Sequence, residues 1–138
     1  MNIKLLIVDD ESSITSSLTR YFELMDYNVK GVNSPLEALE TIHRENYMVV
    51  ISDIMMPEMN GIEMLKKIKK FNGMIQVIMM TGVVTIENVL SCLQNGANDC
   101  FLKPLDNLED MKKAVDESMS KLEKWESLIK DMVHRKEK

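Results

Sequence analysis

Ile3-Lys4-Leu5-Leu6-Ile7-Val8-Asp9-Asp10-Glu11 is a short aliphatic run, broken once by Lys4, that stops abruptly at three acids. A run of that length and composition reads as a strand covered on both faces, with the acids at its carboxyl end. Four more compact runs follow: Asn28–Val32, Met48–Ser52, Gln76–Met80 and Asp99–Leu102. Helical patterns separate them, and alternation of strands with helices argues for βαβ units and a parallel sheet. Ser34 before Pro35 places an N-cap ahead of a first-turn proline, Thr85 caps the helix beginning at Ile86, and Gly96 stops it. Right-handed crossovers leave few topologies, and the leading one is a doubly wound five-stranded sheet of order 2-1-3-4-5. The fold class is therefore α/β and flavodoxin-like, with the carboxyl ends of strands 1 and 3 meeting at the switch point. No repeat, low-complexity segment or linker interrupts the chain before residue 105.

The composition narrows the function classes. The chain has 138 residues, 45% of them hydrophobic and 28% charged, enough for one domain with a real core. No apolar run approaches the length that spans a bilayer, and the first run, carrying Lys4 and ending in acids, is unlike a secretory signal. Cytoplasmic residence is expected, with no membrane contact. Cys92 and Cys100 have neither metal-ligand nor disulfide-framework spacing, so reduced thiols without a cofactor are expected. A net charge of −5 offers no footprint for nucleic acid, since duplex binding relies on Lys and Arg neutralising phosphates. The thirteen methionines read as flexible core packing.

Asp9 and Asp10 follow strand 1 and Asp53 follows strand 3, so the topology gathers three carboxylates at one crevice. Ionised together in a partly buried site they repel, and such a cluster suits a hard divalent cation; Mg²⁺ is the expected cofactor. A carboxylate is also a nucleophile toward phosphorus once charge on the phosphoryl oxygens is neutralised, and Asp53 is best placed for that attack. Thr81 and Lys103 end strands 4 and 5 at the same edge, offering a hydroxyl and an ammonium to phosphoryl oxygens. Each residue alone is an ordinary strand-end side chain; their joint occurrence at four strand ends makes a phosphoryl site. His43 and His134 read as surface residues, since neither lies in an arrangement that would orient a nucleophilic imidazole.

The stretches Leu6–Glu11, Ile51–Pro57 with Gly61 beyond, Met79–Gly82, Gly96-Ala97 and Phe101–Pro104 together resemble the receiver domain of two-component response regulators, the chemotaxis-regulator-like family, over residues 1 to about 120. The resemblance implies a phosphoacceptor at Asp53, metal ligands at Asp9, Asp10 and Asp53, and a further ligand in the backbone carbonyl of Met55. It implies a switch hydroxyl at Thr81, an ammonium at Lys103 that pairs with phosphorylated Asp53, and a cis peptide bond before Pro104. The implied partner is a sensor histidine kinase or phosphotransfer protein whose phosphohistidine feeds Asp53, although a small acyl phosphate is an alternative donor. The implied output is a repacking of the fourth helix, fifth strand and fifth helix.

Two departures stand out. The family's usual aromatic residue three positions before the lysine is Cys100 here, with Phe101 next to it and aimed at the other side of the sheet, so weakened coupling to the output face is expected. Met55 and Val83, each two residues past a site residue, are apolar where fast-hydrolysing relatives often carry polar side chains, so a long-lived phosphoaspartate is expected. Competing readings are weaker. A haloacid-dehalogenase-type phosphatase wants an acid two residues past its nucleophile, where this chain has Met55. A non-phosphorylated receiver-like scaffold would have lost one of the five site residues, and a flavin-nucleotide binder would replace the acids after strand 1 by Ser, Thr and Gly.

After Pro104 the chain reads as one long helix with apolar residues at heptad spacing: Leu108, Met111, Val115, Ser118, Leu122, Trp125, Ile129 and Met132. Residues 1–120 are assigned to the receiver and 121–138 to a helical extension. The extension is read as a coiled-coil homodimer stalk, a linker to an output domain, a dock for another protein, or a helix frayed in solution. A chain of this length is expected to be a stand-alone receiver or part of a longer regulator.

Overall fold

The computed structural model describes residues 2–82 and 85–136. Five strands, β1 (Lys4–Val8), β2 (Asn28–Val32), β3 (Tyr47–Asp53), β4 (Gln76–Thr81) and β5 (Asp99–Leu102), alternate with helices α1 (Ser12–Leu24), α2 (Pro35–Arg44), α3 (Gly61–Phe71), α4 (Ile86–Gln94) and α5 (Leu108–Lys136). All strands are parallel in one sheet of order β2-β1-β3-β4-β5, as the crossover rules require. Helices α2, α3 and α4 contact one another in sequence, while α1 and α5 share a cleft around Leu18 and Leu108, so helices cover both faces.

Burial explains the near-continuous apolar strands. Every residue of β3 and β4 is buried, and the largest fully buried side chains include Leu5, Leu6, Ile7, Ile51 and Ile78 from the sheet and Leu65 and Ile68 from α3. Edge strand β2 alternates instead, exposing Asn28 and Lys30 on one face while α1 packs on the other. The helix signals act as expected: Ser34 Oγ accepts from Glu37 N at 3.0 Å, Thr85 Oγ1 from Asn88 N at 3.1 Å, and Gly96 takes φ 89° just beyond α4.

The strand boundaries differ from the sequence expectation by a residue or two. β3 and β4 run on to include Asp53 and Thr81, because their ladder continues through Asp53↔Met80 and Ile54 N still donates to Met80 O at 3.0 Å. Likewise α5 starts at Leu108 rather than directly after Pro104. Asp106 N donates to Pro104 O at 3.0 Å, closing a turn that redirects the chain before the helix can begin. From there α5 passes residue 120 without a break, and its buried residues end at Leu122. No helix among the described residues is long and apolar enough to cross a membrane.

At the sheet edge opposite the acids, Asn98 ties β4 to β5. Its Oδ1 accepts from Val77 N at 2.8 Å and Lys69 Nζ at 3.2 Å, and its Nδ2 donates to Gln76 Oε1 at 2.9 Å. Asn98→Ala strips these partners at a partly buried site and is expected to lower the unfolding free energy by about 2 kcal/mol. Urea denaturation checks this, and an unchanged midpoint would assign the β4–β5 edge to packing alone.

Candidate functional site

The register of the central strands builds the site. Val8 pairs with Ser52, so Asp9 and Asp53 emerge side by side at the carboxyl edge, and Asp10 follows at the rim. Asp9 and Asp53 are buried and Asp10 is exposed, yet each offers a carboxylate oxygen within 4.8 Å of the other two. Two buried anions and a third at their mouth form a hard-oxygen donor set that fits a divalent cation with part of its water shell retained.

Lys103 supplies the only ammonium that reaches these carboxylates among the described residues. It stands past the end of β5, three strands along the sheet from β1, and its stem spans the gap. Its Nζ lies 2.8 Å from Asp9 Oδ2, 3.3 Å from Asp53 Oδ2 and 3.7 Å from Glu11 Oε1. Its backbone N donates to Thr81 O at 2.8 Å, which fixes the start of that stem against buried Thr81. At Gly82 an added Cβ would already sit 3.9 Å from the lysine stem, so the lysine passes close over the backbone there. The Lys103-Pro104 peptide bond is cis, as the resemblance implied.

The charges are tuned by this crowding. Burial raises the pKa of Asp53, the Asp9 charge adds to the rise, and Lys103 opposes both. For Lys103 burial pulls downward, but hydrogen bonding to Asp9 and the charges of Asp53 and Asp9 outweigh it, so its pKa is raised and the ammonium stays charged.

Neighbouring backbone holds the acids in place. Asn33, in the loop after β2, donates from Nδ2 to Asp9 O at 3.0 Å and to Thr15 Oγ1 at 2.8 Å, while Glu11 N donates to Asp9 Oδ1 at 2.9 Å. On the other side Ser52 Oγ donates to Asp53 O at 3.0 Å. Gly61 lets α3 begin against this loop: its N donates to Ile54 O at 2.7 Å, and a Cβ at that position would lie 2.1 Å from Asp53 O. No side chain fits there without displacing the backbone of Asp53.

All five side chains singled out from the sequence thus share one edge: Asp9, Asp10, Asp53 and Lys103 lie in a cluster, with Thr81 buried beside it. Met55 follows on the rim, half-exposed, with its N 3.4 Å from Asp53 Oδ1. Val83 lies outside the described residues. Sequence reasoning missed Asn33 and the contact of Glu11 with Lys103. The strand order held a clue to Asn33, since β2 neighbours β1 and the loop leaving it must pass the Asp9 backbone. His43 and His134 are exposed and take no part in the acid cluster; the His43 ring lies tilted against Phe71, with 4.2 Å between ring centroids.

At the position of the expected aromatic, Cys100 is half-buried and its thiol meets that of Cys92 on α4. Burial and the neighbouring thiol push Cys92 up to about 11, and burial with Asp99 raises Cys100. Both therefore stay protonated at neutral pH and are poor nucleophiles or metal ligands. Phe101 is also half-buried and packs on the core.

The same pattern recurs in known proteins. The family model described as the response regulator receiver domain matches residues 5–116. The "Transcriptional regulatory protein CpxR homolog" of Haemophilus influenzae is 40% identical over 106 residues, covering 77% of this chain and 46% of that protein. The "Sporulation initiation phosphotransferase F" of Bacillus subtilis is 34% identical over 115 residues, covering 83% of this chain and 92% of that one. A crystal structure of a response regulator receiver domain protein (CheY-like) from Methanospirillum hungatei superposes with a TM-score of 0.85 at 31% identity, covering 90% of this chain and 98% of the other. The chain spans less than half the length of the transcriptional regulator but nearly all of the phosphotransferase. Sequence, topology and the acid cluster agree, and the chain belongs to the response regulator receiver domain family of two-component signalling.

Proposed function

We propose that Asp53 accepts a phosphoryl group from the phosphohistidine of a sensor histidine kinase or phosphotransfer protein, and that this switches a protein-interaction surface. The observation that carries the reading is the Lys103 ammonium shared between Asp9 and Asp53 at the mouth of a three-carboxylate cluster. Asp53 Oδ attacks phosphorus in line; the O–P bond forms as the N–P bond to the donor histidine breaks, and the imidazole leaves with the electron pair. Lys103 then pairs with a phosphoryl oxygen, and the Thr81 hydroxyl donates to another, drawing the start of the following loop inward. Asp9, Asp10, Asp53 and the Met55 carbonyl would hold Mg²⁺, which would supply positive charge for the phosphoryl oxygens. Burial keeps bulk water off the anhydride.

In this reading the chain is a signalling domain that assists its own phosphorylation and dephosphorylation rather than an enzyme with a separate substrate. It works in the cytoplasm, contacts neither membrane nor nucleic acid itself, and offers the free part of α5 to a second copy. Cys100 in place of an aromatic leaves α4 and β5 loosely coupled to Asp53, because a small thiol fills little of the space through which a ring would report the movement of Thr81.

Intact mass after incubation with acetyl phosphate and Mg²⁺ is expected to rise by one phosphoryl group. Asp53→Asn or a chelator abolishes the gain, and a gain that survives Asp53→Asn would remove Asp53 from the role. The apolar neighbours predict a phosphoaspartate that persists for minutes or longer at neutral pH; decay within seconds in Mg²⁺ would refute that.

The raised pKa of Asp53 gives a signed expectation for metal-free protein. Its folded pKa lies above the unfolded one, so its ionisation costs stability at neutral pH, and protonation relieves the cost as pH falls through the folded value. Asp53→Asn should therefore raise the melting temperature at pH 7, and the gain should shrink toward pH 4. Thermal melts across that range check it; an equal gain at both ends would place the effect outside ionisation.

A further inference from the structure

The helix α5 changes partners along its length. Met111, Ala114, Val115, Ser118 and Leu122 are buried against the sheet, and beyond Leu122 the apolar spacing continues with nothing over it. Trp125, Leu128, Ile129, Met132 and Val133 are all exposed, Met132 by 56%. A lone helix with such a stripe is marginal in water, and a contiguous apolar patch of this kind marks a contact surface.

We propose that the stripe is covered by a second copy of the chain in a parallel, in-register pair. Trp125, Ile129 and Met132 form the seam, Leu128 of each helix packs on Val133 of the other, and Lys121 of each faces Glu126 of the other. The proposal rests on a second copy being the partner of α5 and is independent of phosphoryl transfer.

Heptad geometry and charge choose the occupant and its direction. With Ile129 at an a position and Trp125 and Met132 at d, the flanks are Lys121, Leu128 and Arg135 on the g side and Glu126 and Val133 on the e side. A parallel pair sets each g residue against the e residue five positions on, which gives an attractive charge pair and an apolar pair, each twice by symmetry. An antiparallel pair sets g against g and e against e, bringing Lys121 toward Arg135 and Glu126 toward Glu126. A β-branched residue at a also favours two parallel strands.

Within one chain the two ends of this charge pair are engaged to different degrees. Lys121 makes no ion pair among the described residues and sits near Lys69, whose half-buried ammonium donates to Ile75 O at 2.6 Å and is lowered in pKa by burial and by Lys121. Glu126 holds Lys130 at 3.1 Å through Oε1, and its Oε2 is buried without a hydrogen bond, so pairing with Lys121 of a second copy turns this carboxylate outward and satisfies the orphaned oxygen. Leu128 widens the stripe toward the side of α5 where Lys121 and Ala114 line a cleft with Asn98 and Asp99. The second helix therefore approaches from the β5 side and parts from its mate above Leu122.

The seam is short, so the dimer is concentration-dependent, as expected of an interface under about 1,200 Å². Sedimentation velocity on the full 138-residue chain should show reversible dimerisation with a blue shift of Trp125 emission. In a Cys92→Ser, Cys100→Ser background, Met132→Cys should cross-link across the axis on oxidation with copper phenanthroline, and Lys130→Cys should not. Lys121→Glu should weaken association by about tenfold, and adding Glu126→Lys should restore most of it. Monomer at every concentration up to about 1 mM, a dimer that does not cross-link at residue 132, or a double swap no tighter than the single would each overturn the proposal. Acetyl phosphate labelling of Met132→Glu, read by mass, keeps the two readings apart: the variant should be monomeric yet still gain one phosphoryl group, and loss of that gain would overturn the independence of the seam from phosphoryl transfer.

Discussion

The ammonium of Lys103 stands 2.8 Å from Asp9 and 3.3 Å from Asp53, between two buried carboxylates that would otherwise repel each other at the edge of the sheet. One cation against two buried anions and an exposed third leaves the cluster short of positive charge. The raised pKa of Asp53 expresses that shortage, since burial and the Asp9 charge both disfavour its ionised form by more than Lys103 favours it. A site in that condition gains from any cation that enters. The imbalance that costs stability in the resting chain therefore suits a divalent cation, whose charge would also offset that of incoming phosphoryl oxygens.

Holding that arrangement is the task of the sheet. The β1–β3 register sets Asp9 beside Asp53, the β3–β4 ladder carries hydrogen bonding through Asp53 to Ile54, and the Lys103 N to Thr81 O bond anchors the lysine from the far strand. A slip of one residue in any of these ladders would turn a site side chain toward the opposite face. The buried aliphatic strands thus set the position of charged groups that never touch them, and Gly61 lets α3 press on the Asp53 backbone from outside.

Much of this was legible in the chain. Short aliphatic runs ending in acids, a proline-led helix start and a glycine helix stop each have one local physical meaning, and crossover handedness converts them into a topology. The acid cluster followed because strand ends 1 and 3 must adjoin. Less legible were features that depend on three-dimensional reach: the contact of Glu11 with Lys103, the grip of Asn33 on Asp9, and the turn that delays α5 to Leu108. Strand ends shifted by a residue or two because ladder hydrogen bonding, not hydrophobicity, decides where a strand stops.

The tail illustrates why periodicity alone underdetermines partners. A single heptad pattern runs from Leu108 to Met132, yet its first half is buried by the chain itself and its second half is not. Nothing in the spacing marks the change at Leu122; it comes from the length of the sheet, which runs out beneath the helix. Beyond that point the same spacing must be satisfied from outside, and the side chains flanking the stripe, rather than the stripe itself, carry the information about what can lie there. Lys121 and Glu126, five residues apart on opposite flanks, are complementary only to a helix running in the same direction.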